Sequence, residues 1–128
     1  MESKLFLITI AGFLLLGKAD AQSFTLQTVT GTTINYGDTL VISGTTNDFT
    51  LMSPLAVTNN SSTLKAVTAE RTILSMVPGA DNAFAWGMMM YPPSVNISVD
   101  PAIINAGATD SSFQTWYFTN NNAGVSYI

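Results

Sequence analysis

Six carboxylates follow the first 21 residues, Asp38, Asp48, Glu70, Asp81, Asp100 and Asp110, and they are the side chains most able to do acid–base chemistry. A glycosidase needs two of them facing each other across a cleft. Here they are scattered, and most sit beside Gly, Asn, Pro or Ala in stretches that read as turns, where Asp bonds its own backbone. No D-x-[DN]-x-[DN]-G run marks a calcium loop. Histidine and cysteine are both absent, which excludes Ser-His-Asp and Cys-His nucleophiles, imidazole or thiolate metal sites, and disulfides.

Two softer chemistries remain. Met88, Met89 and Met90 form a run of thioethers. On a single strand Met88 and Met90 would share a face, an arrangement that suits Cu(I), but two thioethers without His or Cys make a poor site and Met serves equally as core filler. No cofactor is therefore expected. Trp86, Tyr91, Trp116, Tyr117 and Tyr127 could line a sugar-binding face, with Trp116, Tyr117 and Tyr91 as the candidate ligand contacts. Strand alternation sends Trp116 and Tyr117 to opposite sides, so whichever lies outside is the better contact residue. The plainer alternative is edge packing. Asn59, Asn60 and Asn96 each begin an Asn-x-Ser sequon, which matters only in a eukaryotic secretory pathway.

The 128 residues are 47% hydrophobic and only 9% charged, which fits one small domain with its own core and excludes charge-driven disorder. Of the four cations, Lys4 and Lys18 fall in the N-terminal segment, leaving Lys65 and Arg71. Two cations are too few to neutralise a nucleic-acid backbone, so nucleic acid is not an expected partner. At the N-terminus, Lys4, the apolar run Leu5 to Leu16 and Ala19-Asp20-Ala21 form a signal peptide, residues 1–21, with Gln22 as the first mature residue. The apolar run is short of the roughly 20 residues a spanning helix needs. No membrane span is expected after cleavage, and a secreted or cell-envelope location follows.

Residues 22–128 must position any site, and their pattern is β. Alternation or short apolar runs mark strands at Phe24–Thr28, Thr39–Ser43, Phe49–Val57, Leu64–Thr68, Thr72–Val77, Phe84–Tyr91, Val95–Val99, Ile103–Ile104, Phe113–Thr119 and Val125–Tyr127. Pro54 should place a bulge or break in the third of these. Tyr36-Gly37-Asp38, Thr58 to Ser62, Pro78-Gly79 and Asn120-Asn121-Asn122 read as turns. Short strands at this spacing without an amphipathic helix predict an all-β fold, an antiparallel β-sandwich of about 7–8 strands. Trp86 should be buried between its sheets.

Met76-Val77-Pro78-Gly79, Asn82-Ala83-Phe84-Ala85-Trp86-Gly87, Tyr91-Pro92-Pro93, Ala106-Gly107-Ala108, Ser112-Phe113 and Asn122-Ala123-Gly124-Val125-Ser126, in this order and spacing, resemble secreted Ig-like domain proteins of Bacteroidetes. The resemblance covers Phe24 to Ile128 and implies an Ig-like sandwich, often followed in that family by a type IX secretion C-terminal sorting domain. No such sorting domain lies within these residues, so type IX export rests on the resemblance alone. The family commonly carries cysteines where this chain has Ala85 and Met90, so the disulfide it implies cannot form here. Family domains also run on for another strand or two, which implies a fragment, or a shortened relative whose sheet is completed by something else. Asp38-Thr39-Leu40 matches the short O-glycosylation pattern Bacteroidetes apply to exported proteins, making Thr39 a candidate acceptor.

The expected function is that of an exported, non-enzymatic accessory or interaction module at a bacterial cell surface or envelope, meeting an unknown protein or glycan. The alternative is a carbohydrate-binding module or a small carboxylate-dependent hydrolase. Because Gly124 to Ile128 alternates as a strand without a closing partner, strand-mediated oligomerisation through that C-terminal edge is also expected.

Overall fold

The computed structural model describes residues 23–128. The expected signal peptide, residues 1–21, and the Ala21–Gln22 bond lie outside the described residues. Eight strands form two antiparallel sheets: β1 Phe24–Thr28, β2 Thr33–Ile34, β3 Thr50–Asn59, β4 Lys65–Val67, β5 Asp81–Trp86, β6 Met89–Tyr91, β7 Ala102–Ile104 and β8 Thr109–Phe118. The larger sheet has the order β2-β1-β3-β8-β5-β6, and the smaller pairs β4 with β7. The fold is an all-β sandwich. Among the described residues, no helix is long and apolar enough to cross a membrane.

The sheets meet over one half of the larger one. Phe84, Trp86 and Tyr91 of β5 and β6 pack with Ala102 and Ile104 of β7, with Val57, Val67 and Phe113 at the margin. Trp86 is 2% exposed, and its indole N–H donates to the Val67 carbonyl of β4 at 2.6 Å, tying the two sheets together. Its ring meets Phe113 edge-on at 6.0 Å. The expected burial of Trp86 is what the fold contains. Over the β1–β3 half every β1 residue is only half-buried, and the irregular, exposed segment 38–44 lies with Thr39 and Leu40 beside Thr28 and Ile34 of the β1–β2 hairpin. Gly44 runs so close to the Leu51 side chain that a Cβ there would collide with it.

Several expected strands are not strands. Thr39–Ser43 has no ladder, and Thr72–Val77, Val95–Val99 and Val125–Tyr127 contribute only the isolated bridges Ser75↔Tyr127 and Glu70↔Ile97. The last three make a few backbone bonds, Arg71 N–H to the Asn96 carbonyl, Ser98 N–H to the Ala69 carbonyl, and Leu74 and Ser75 N–H to the Tyr127 carbonyl, too few for a ladder. Phe84–Tyr91 is a hairpin rather than one strand. Trp86 pairs with Met89 across a two-residue loop whose first residue, Gly87, has φ +63°, the conformation a type II′ turn needs at that position. β3 passes straight through Pro54, and the register shift falls between Leu55 and Val57 instead. Pro54 lies opposite Gln114 of β8 and one residue beyond the last β1 pair, Thr28↔Leu55, so no β1 residue opposes it. β2, two residues long, carries no periodicity to read. The Asn120–Asn122 turn is as expected: Asn120 and Asn121 take φ of 48° and 62°, a left-handed region Asn tolerates.

Candidate functional site

Four of the carboxylates bond the backbone within three residues. Asp38 accepts from the Asn35 N–H at 2.7 Å and from the Asn35 amide at 3.0 Å. Asp48 accepts from the Thr45 N–H at 2.6 Å and its hydroxyl at 3.0 Å. The Thr45 backbone bond, seconded by the hydroxyl, holds the Asp48 carboxyl below the usual aspartate range. Asp81 caps the Asn82 N–H at 2.9 Å, and Asp110 caps the Ser112 N–H at 2.7 Å. Among the described residues, no group of three or more acidic side chains is arranged to hold a metal ion.

The methionine run does not share a strand face. Met88 stands in the hairpin turn, fully exposed, while Met89 and Met90 are adjacent in β6 and therefore project to opposite sides. The two-thioether pair expected of a single strand is thus absent, because Gly87 reverses the chain just before it.

Tyr91 is 5% exposed, stacked on Phe84 at 4.9 Å, and its hydroxyl accepts weakly from the Asp100 N–H at 3.4 Å. Its ring belongs to the core. Trp116 and Tyr117 are both half-buried and point to opposite sides of β8, as alternation requires. Tyr117 is in register with Leu51 and Asn82, on the side of Phe113, and its hydroxyl bonds the Ser126 hydroxyl at 2.8 Å. Trp116 is the outward one. It lies between Met52 of β3 and Ala83 of β5, with exposed Met90 one register step away beyond Ala85. This outer face carries the exposed Met52 and Met90 beside Trp116, with Thr50 and Asp81 at one end and Gln114 near the middle, whose amide donates to the Met52 sulfur at 3.5 Å.

Thr39 is exposed and follows directly on the turn that Asp38 caps. Together with Asp38 and Leu40 it borders an open depression of about 190 Å³ against the β1–β2 hairpin threonines.

Two polar residues that the sequence marked only as a spare cation and a sequon make the most side-chain hydrogen bonds. Arg71, 8% exposed, threads its guanidinium into a cage of neutral acceptors. Nη1 donates to the Asn82 carbonyl at 2.6 Å and its side-chain oxygen at 3.0 Å; Nη2 donates to the carbonyls of Pro93 at 2.7 Å and Val95 at 2.8 Å and to the Asn96 side chain at 3.0 Å. The cation lies 5.5 Å from the Phe84 ring centroid. Desolvation lowers the Arg71 pKa, and the negative charge of Asp81 opposes that shift. Asn59, wholly buried at the end of β3, donates to the Thr63, Ile104 and Asn105 carbonyls at 2.8, 3.0 and 3.2 Å. Its oxygen accepts from the Ser61 N–H and hydroxyl. Its sequon is therefore inaccessible in the folded protein. The signal in the sequence was a lone Arg inside an apolar series and an Asn at a strand end, neither distinctive without the acceptors.

No family model, curated protein or solved structure matches the chain.

Proposed function

We propose that this chain is an exported, non-enzymatic β-sandwich module that makes contacts at a bacterial cell surface or envelope, in the manner of the Bacteroidetes Ig-like proteins it resembles. The observation that carries the reading is the use of the polar groups. Asp38, Asp48, Asp81 and Asp110 each cap a nearby backbone N–H, and Arg71 and Asn59 are bonded to carbonyls of the fold. What the larger sheet offers to a partner is its outer face around Trp116. Fractionation of the producing cell with mass spectrometry of the N-terminus tests export: Gln22 as first residue outside the cytoplasm supports it, and an intact Met1 in the cytoplasm contradicts it.

A second reading, a carbohydrate-binding module, is favoured by the outward position of Trp116 between Met52 and Ala83, since an indole face stacks on the apolar face of a sugar ring. Titration with soluble polysaccharides while following tryptophan fluorescence separates the two readings. A saturable change lost in Trp116→Ala supports glycan binding, whereas no change leaves the protein-contact module.

A further inference from the structure

The segment Thr39-Leu40-Val41-Ile42-Ser43-Gly44 is apolar at its centre and joins no ladder. Among the described residues, its backbone N–H and C=O groups bond to nothing. Its exposures alternate as on a sheet surface: Leu40 41%, Val41 77%, Ile42 42%. All three are exposed, and Val41 is the most open of them.

Both ends are fixed by turns of the same construction. At one, the Asp38 N–H donates to the Asn35 carbonyl at 3.0 Å while the Asp38 carboxylate accepts the Asn35 N–H. At the other, the Asp48 N–H donates to the Thr45 carbonyl at 3.0 Å while its carboxylate accepts the Thr45 N–H. The two ends are thus held before any partner arrives, which lowers the ordering cost of pairing. The devices that protect open edges, such as Lys, Pro or a bulge, are missing from Thr39 to Gly44. The other open run, at the C-terminus, is more occupied: the Tyr127 N–H and C=O already bond Ser75 and Leu74.

We infer that residues 39–44 are an interaction edge whose occupant is a second copy of this chain, paired antiparallel about a twofold axis through Val41. The sequence is self-complementary in that register. Val41 meets Val41, Leu40 meets Ile42, and Thr39 meets Ser43, so apolar faces apolar and hydroxyl faces hydroxyl. The one charge at the margin, Asp38, comes opposite Gly44, the residue without a side chain. A one-residue slip would break this match and set Val41 beside a residue of the other face. The pairing does not depend on the surface-module reading.

The test is sedimentation of the protein purified after export, from about micromolar to about millimolar concentration. Wild type is expected to show a monomer–dimer equilibrium. Val41→Lys and Val41→Glu each place like charges on the axis and are expected to weaken the dimer at least roughly tenfold. Val41 is largely exposed, so neither change should disturb the monomer fold. Mixed one to one, the two variants are expected to form a heterodimer, with new hydrogen-exchange protection at the amides of 39–43. A wild type that is monomeric throughout, a dimer indifferent to Val41→Lys, or a mixture that stays monomeric overturns the proposal.

Discussion

Arg71→Ala removes a buried cation whose ligands lie 11 to 25 residues away in the sequence, and the cost follows from which of those ligands water can reach. Asn96 and Pro93 are exposed and can exchange the guanidinium for solvent, and Val95 is half-buried. Asn82 is 1% exposed, so its carbonyl and side-chain oxygen lose their donor with no replacement. Each buried acceptor left unsatisfied costs about 1–3 kcal/mol, and loss of packing on Phe84 adds to that. The wild-type guanidinium already bears a desolvation penalty, which offsets part of the gain. The net expectation is a loss of about 3–5 kcal/mol in urea unfolding, a large part of the ~5–15 kcal/mol a domain has. Arg71→Lys keeps the charge but not the planar fork and should lose about half as much. Because the five acceptors are neutral, the Arg71→Ala difference should be nearly unchanged by added sodium chloride, unlike that of an exposed ion pair. A loss under about 0.5 kcal/mol, the range of an ordinary surface substitution, would refute the cage.

Three further substitutions probe the rest of the scaffold. Trp86→Ala should cost about 3–5 kcal/mol, and Trp86→Phe should cost less while still leaving the Val67 carbonyl unpaired; wild-type-like unfolding of Trp86→Ala would deny its burial between the sheets. Asn59→Ala strands the buried Ile104 carbonyl of β7 and removes the donor of the part-buried Asn105 carbonyl, and should lose about 2–4 kcal/mol, read as an earlier urea midpoint with unchanged slope. Asp48 has its carboxyl pKa lowered by Thr45, so its contribution is present above the unfolded value of about 3.9 and is lost as pH falls through the lower folded value. The acid limb of the stability curve should therefore flatten in Asp48→Asn, and an unchanged limb would show that the cap is not made.

Alternation and short apolar runs located β1, β3 and β4 closely, while β5 begins at Asp81, before the expected Phe84, and β8 at Thr109, before the expected Phe113. Neither signal could say whether a neighbour lies alongside. Thr39–Ser43 is a short apolar run of strand-forming residues, yet a ladder needs a second segment at about 4.8 Å, and none of the described chain pairs with it. The hairpin at Gly87 was hidden because both of its arms are apolar, leaving a single glycine as the only mark of reversal. For the candidate contacts, the opposition of Trp116 and Tyr117 was legible, but which of them faces out depends on the sheet that covers β8. Arg71 and Asn59 were illegible for a different reason: their acceptors come from distant turns, and no local pattern encodes a cage assembled by tertiary packing.

The most direct test of a contact role for the outer sheet face is photo-crosslinking in the exporting cell from a benzoylphenylalanine placed at position 116, read by mass spectrometry. The account predicts an adduct with an extracytoplasmic protein or glycan from position 116 and none when the photophore is moved to inward-facing position 117. No adduct from 116, or equal adducts from both positions, would contradict it.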